Sequence, residues 1–257
     1  MQRTILILLI LLWYFVANAQ NTSYTQLANE LQFNRTISEK LAGEIWLGGA
    51  FSNTPSDNRV LSTNIQRYFF IWMNYQYSPR WKLSSSLAYY YNRDVPDIGQ
   101  YPSPEYRLTI QGVYFIHKTG YILSTKMRGE LRYMMNAEGV FEDKYRYRHL
   151  IKFVKPLNSK VLRKGIVYFL SSEELLFAPK AKTKGVNFFD RNRFDIGCGY
   201  MITNDLQIEL AYLNEYIPRD DGDIINNTVE FTLIFNNLFP KIKERIFPRS
   251  SADRSSD

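Results

Sequence analysis

Tyr121-Ile122-Leu123-Ser124-Thr125-Lys126-Met127-Arg128-Gly129-Glu130-Leu131-Arg132-Tyr133 carries two different chemistries on alternate residues. The odd positions read Tyr, Leu, Thr, Met, Gly, Leu, Tyr; the even ones read Ile, Ser, Lys, Arg, Glu, Arg. A period of two is the signature of a β-strand, whose side chains leave on opposite faces. The even face holds too much charge to be a dry core. The odd face must then be the one turned away from the interior, which is the arrangement of a barrel with an apolar outside and a polar lumen.

The same split recurs along the chain. Leu206, Ile208, Leu210 and Tyr212 alternate with Gln207, Glu209 and Ala211. Val229, Phe231, Leu233 and Phe235 alternate with Thr228, Glu230 and Thr232, and Phe194, Ile196, Cys198 and Tyr200 oppose Arg191, Arg193 and Asp195. Strands are expected near 24–35, 40–51, 62–77, 81–93, 105–117, 121–135, 144–155, 164–177, 187–201, 204–217 and 225–236. Most exceed ordinary soluble strands and suit tilted strands of about 9–11 or more residues crossing a bilayer. Tight turns at 78–80, 118–120 and 203–204 alternate with longer loops at 95–104, 136–143 and 178–186. The fold class is therefore all-β, an antiparallel up-and-down transmembrane β-barrel. Bacterial barrels normally close with an even number of strands. The count is accordingly set at 10 to 12, with either a further strand in the loop at 52–61 or the first strand outside the wall.

Composition agrees. Aromatic residues are abundant, with 19 Tyr and 17 Phe, yet mean hydropathy is slightly polar. No segment after the N-terminus approaches the roughly 20 apolar residues of a spanning helix. At the N-terminus, Arg3 precedes an apolar run from Ile5 to Val16 and then Ala17-Asn18-Ala19, the three-part pattern of a secretory signal peptide. Three units follow: a signal peptide at 1–19, the barrel at 20–238, and a basic, disordered periplasmic tail at 239–257. The single cysteine, Cys198, allows no intramolecular disulfide and reads as a packing residue.

The segments Phe188-Phe189-Asp190-Arg191-Asn192-Arg193, Gly197-Cys198-Gly199-Tyr200, Glu209-Leu210-Ala211-Tyr212 and Tyr168-Phe169-Leu170-Ser171-Ser172-Glu173-Glu174 resemble the family called domain of unknown function 2490. The resemblance covers nearly the whole mature chain. It implies a Bacteroidota-type barrel in the bacterial outer membrane, and it leaves activity open. The chain departs from the family pattern at Ser172-Glu173-Glu174, where Asn-Glu is expected, and in its long basic tail.

The inward phase of the middle strands contributes a basic wall: Lys82, Arg107, Lys126, Arg128, Arg132, Lys144, Arg146, Arg148, Lys152, Arg191 and Arg193. The first and last strands contribute an acidic seam: Glu30, Glu44, Glu209, Glu215 and Glu230. Opposed charges in a narrow lumen pair and hold the barrel shut. A transverse field that orients a polar or anionic solute is the other reading. A lumen of 10 to 12 strands lies between the filled and the open cases and favours the closed one.

An enzyme is not expected. Of two histidines, His149 falls in the outward phase with Tyr147 and Ile151, while His117 falls inward with Glu105, Arg107 and Gln111 beside a turn, without a nucleophile motif. Glu173 and Glu174 cannot both face the lumen of a regular strand, so one of them is expected at a strand end or bulge. No cofactor and no metal are implied, and the net charge of +7 is strung through the strands, which speaks against nucleic acid. The expected partners are outer-membrane lipid and envelope proteins reached through loops or the basic tail. A structural or complex-forming barrel is the first functional class, a narrow channel for small polar or anionic solutes the second, and a lipid-modifying hydrolase a distant third.

Overall fold

A computed structural model describes residues 22–179, 188–220 and 222–237. The expected signal peptide at 1–19 and the expected tail at 239–257 lie outside the described residues. Eleven strands form one closed barrel. In chain order they are β1 (Thr22–Thr36), β2 (Leu41–Ser52), β3 (Thr63–Gln76), β4 (Trp81–Asn92), β5 (Ser103–His117), β6 (Ile122–Met135), β7 (Phe141–Pro156), β8 (Val167–Phe177), β9 (Phe189–Met201), β10 (Leu206–Ile217) and β11 (Ile224–Asn236).

Each strand pairs antiparallel with its neighbours in sequence, and the ring closes through a parallel pair of β1 with β11, from Thr22↔Ile224 to Asn34↔Asn236. The strictly antiparallel expectation is corrected at this one seam. An up-and-down ring with an odd number of strands brings its first and last strands together pointing the same way. The loop at 53–62 contains only the isolated bridge Thr54↔Asp57, so it supplies no twelfth strand, and β1 stands in the wall. Side chains reinforce the seam: Asn34 Nδ2 donates to Asn236 Oδ1 (3.0 Å), Asn227 Nδ2 to Ser23 Oγ (3.1 Å) and Thr228 Oγ1 to Gln26 Oε1 (3.2 Å).

The outer face is apolar. Ile71, Leu87, Leu108, Ile110, Met127 and Leu210 are all exposed there. Aromatic residues border this belt at both ends. Trp81 packs on Tyr114, Tyr121 on Phe153 and Phe33 on Phe235 toward the tight turns; Tyr89 packs on Tyr106 and Tyr133 on Phe141 toward the other rim. The turn rim is less uniform than the sequence implies, because 157–166 is a long connection between β7 and β8.

Inside, two apolar clusters pack in the lumen, one around mid-barrel on β2–β4 and the other toward the turn rim at β8 and β9. One joins Phe70, Trp72 and Ala88 to Trp46, Tyr68 and Tyr90; the other joins Ile166, Tyr168, Leu170 and Met201. Trp72, Tyr168 and Leu170 are at most 2% exposed. A lumen this occupied is a core as much as a pore.

Candidate functional site in the lumen

One row of directly paired residues organises the closing seam. It runs Tyr168–Gly199–Glu209–Thr232–Glu30–Gly48–Tyr68, crossing β8, β9, β10, β11, β1, β2 and β3. The row reads the same from either end, centred on Thr232. Each tyrosine ring lies over the glycine of the next strand, and its hydroxyl reaches the carboxylate beyond. Tyr168 OH donates to Glu209 Oε1 at 2.6 Å, and Tyr68 OH donates to Glu30 Oε2 at 2.7 Å. A glycine is required because the ring occupies the space of a side chain, the aromatic covering of a strand glycine. Gln32 Nε2 completes Glu30 at 2.5 Å. Glu44 is likewise held by neutral donors, Trp46 Nε1 at 2.9 Å and Asn74 Nδ2 at 2.7 Å.

The basic side has its own carboxylates. Glu105 takes Arg107 Nη2 (2.7 Å) and, through both oxygens, Arg132 Nε and Nη2 (2.7 and 2.8 Å). Glu130, 3% exposed, faces four guanidinium groups: Arg146 (2.7 Å), Arg148 (3.0 Å), Arg128 (3.6 Å) and Arg107 (3.7 Å). Arg148 also holds Glu174. On the other side Arg191 (3.2 Å), Arg193 and Asn226 (2.9 Å) converge on Glu215, and Asp190 bonds to Arg191 (2.8 Å) and Arg219 (3.2 Å).

This arrangement corrects the picture of a basic wall paired across the lumen with an acidic seam. Glu105, Glu130 and Glu174 stand within the wall, and most charges pair sideways with adjacent strands. Cross-strand neighbours bring Cβ atoms to about 5 Å, a shorter reach than the lumen. All three carboxylates share the inward phase of nearby arginines, and that phase was the available signal. An imbalance nevertheless remains. On β5–β8 the inward cations Arg107, Lys126, Arg128, Arg132, Arg146, Arg148 and Lys152 outnumber Glu105, Glu130 and Glu174, whereas the remaining strands carry the carboxylate excess.

Arg107, Lys126, Arg128, Arg132, Arg146, Arg148, Arg191 and Arg193 line one interior cavity of about 430 Å³ together with Glu30, Glu215 and Glu230. Lys82 and Lys152 keep the inward register but lie outside its lining, as do Glu44 and Glu209. Lys144 stands at the long-loop end of β7, half exposed and 3.5 Å from Glu142.

Three further placements differ from or sharpen the sequence reading. A bulge between Phe115 and His117 pairs His117 with Leu123, which turns the imidazole to the outer face. There it stacks on Tyr121 at 4.0 Å, and Nε2 meets the carbonyl of Thr119 at 2.7 Å. His149 lies on the outer face, its Nε2 2.8 Å from Thr125 Oγ1. Glu173 occupies neither a strand end nor a bulge; it faces outward from regular β8, bonded to Asn192, while Glu174 points inward. Among the described residues no group of three or more His, Cys, Asp or Glu is arranged to hold a metal.

Residues 21–226 match the family described as Protein of unknown function (DUF2490). No curated protein and no solved structure matches the chain.

Proposed function

The chain belongs to the DUF2490 family, and from that premise we propose that it is a bacterial outer-membrane β-barrel whose lumen is shut by its own side chains and whose role is structural or complex-forming, not enzymatic. The membrane placement draws support from the apolar outer face and its two aromatic borders, the pattern of lipid-facing barrels. Envelope lipid is its solvent, and the external loops and the basic tail are its means of meeting other envelope proteins. The observation that carries the closed reading is the apolar packing on the turn side of the lumen, where Trp72, Tyr168 and Leu170 are all but inaccessible. Arginine–carboxylate pairs then cross-link the layer above it.

Planar-bilayer recording of the purified protein tests this. Silence is expected, with heat-modifiable migration on gels and recovery from outer-membrane fractions. The second reading, a narrow channel for small polar or anionic solutes, is favoured by the lumen cavity and predicts steady conductance. Recovery as a soluble periplasmic protein overturns both.

A further inference from the structure

Nearly every charged side chain that lines the lumen cavity has a partner. Glu30 has Gln32 and Tyr68, Glu105 has Arg107 and Arg132, and Arg148 has Glu130 and Glu174. Arg193 has Glu215. Among the described residues, two charged lining side chains have neither a hydrogen bond nor an ion pair: Lys126 and Glu230. They carry opposite charges. They also stand on β6 and β11, which are five strands apart one way round the ring and six the other, so they face each other across the widest span.

Their surroundings differ in the same sense as their charges. Arg128 follows Lys126 on the same face of β6 and is paired directly with Arg148. Glu230 sits beside Ala28 in the parallel seam, with Glu30 one inward position farther along β1. The cavity between them is within the volume range of small-molecule sites. Its lining extends to Gln66 and Asn92, near the long-loop rim, while Ile166, Tyr168 and Met201 pack together at the turn rim.

We propose that this cavity is a binding site for a small zwitterion, whose acid group meets Lys126 and Arg128 and whose ammonium group meets Glu230. An unpaired ionic group out of bulk water is costly, and one molecule bearing both charges relieves both sites at once. A simple anion relieves only one wall and adds no partner to Glu230. The direction of the imbalance between β5–β8 and the other strands orients the ligand. The proposal rests on the closed turn rim of the preceding reading, which makes the cavity a cup entered from the loop side.

The test is calorimetric titration of the full-length protein in detergent with three probes of equal length: 4-aminobutyrate, butyrate and butylamine. Saturable binding is expected for the zwitterion, with each single-charge probe weaker by about tenfold or more, the scale of one lost charge-assisted contact. Glycine and 6-aminohexanoate then bracket the span. Lys126→Met and Glu230→Gln should each abolish the preference, whereas Lys126→Arg retains it. Equal binding of butyrate and 4-aminobutyrate, indifferent to Glu230→Gln, overturns the zwitterion in favour of an anion site; no binding of any probe overturns the site. The probe comparison uses the unmodified protein, so it decides even where a variant fails to fold. Conductance in bilayers refutes the closed rim without touching binding, and absent binding leaves the closed rim standing.

Discussion

A methyl group on Gly48 would sit 2.3 Å from the Tyr68 ring carbon Cζ, and one on Gly199 2.1 Å from that of Tyr168. Neither ring can stay in place, and once displaced neither hydroxyl reaches its carboxylate. Gly48→Ala and Gly199→Ala should therefore each lower stability by about 1–3 kcal/mol, the cost of a stranded buried polar group plus overpacking. The readout is the temperature at which gel migration changes to that of the unfolded chain. Gly129→Ala is the control, since nothing lies within 4 Å of an added methyl there, and it should be neutral. Glu130 makes the opposite case, because four arginines converge on one carboxylate. Glu130→Gln should cost roughly 3–5 kcal/mol by leaving the buried Arg146, which has no other carboxylate partner among the described residues, uncompensated, and a transition temperature within a degree of the parent would contradict the network. Outside the strands, hydrogen bonds from Arg59 hold Asp57 well below the usual carboxylate range. A depressed carboxylate favours the folded loop above its unfolded value, near about 3.9, and loses that contribution as pH falls through the folded one. The pair should thus persist through mildly acid pH, and Arg59→Ala should return the Asp57 titration, followed by NMR, toward the ordinary range.

At the level of the strand, alternation was sufficient to locate every wall segment, because one face of each meets water-filled or ionic surroundings and the other does not. Its boundaries agree with the expected ones to within about three residues, the largest shifts falling at the loop end of β7 and the start of β8. Alternation fails where the period itself breaks. His117 follows a bulge, and a bulge adds one residue without changing composition, so a phase count carried through Phe115 assigns the wrong face. Pairing is the other blind spot. The identity of the inward residues was legible, but Glu105 and Glu130 bond to arginines on neighbouring strands through registers that period two does not encode. The palindromic row through Thr232 needs seven strands in register, and no local pattern announces it. The face assignment on β10 is open to a direct test. Leu210 is exposed on the outer face and Glu209, one step away, points inward to Tyr168. An arginine at Leu210 should cost about 2–4 kcal/mol if that site lies at the bilayer midplane. Glu209→Gln should instead weaken only the Tyr168 contact, by about 1 kcal/mol. Folding in lipid vesicles that tolerates Leu210→Arg but not Glu209→Gln would mean that inside and outside have been exchanged.

For the whole molecule the strand number has a consequence that no single strand carries. In an even up-and-down barrel both chain ends leave at the same rim. Eleven strands with β1 parallel to β11 place them at opposite rims. Thr22 lies beside Ile224 at the rim of the loops 53–62 and 93–102, and its N–H bonds the carbonyl of Asp223 at 2.9 Å. Asn237 lies at the rim of the tight turns, where its N–H bonds the Asn34 carbonyl at 2.7 Å and its side chain accepts from the N–H of Thr36 at 2.9 Å. Parallel pairs are slightly less stable per residue than antiparallel ones, and these terminal bonds, with the Asn34–Asn236 contact, anchor both ends of the one parallel seam. In an outer membrane with the tight turns facing the periplasm, the strand that begins at Thr22 must start at the cell surface, whereas Asn237 lies at the periplasmic rim. Short epitopes inserted just before Thr22 and just after Asn237 separate the two sides. The first should bind antibody on intact cells, and the second only after the outer membrane is permeabilised. If both epitopes appear on the same side, the ring must close with an even number of strands. The parallel seam, the row through Thr232 and the placement of Glu230 opposite Lys126 would then fall together, because each depends on β1 standing in the wall beside β11.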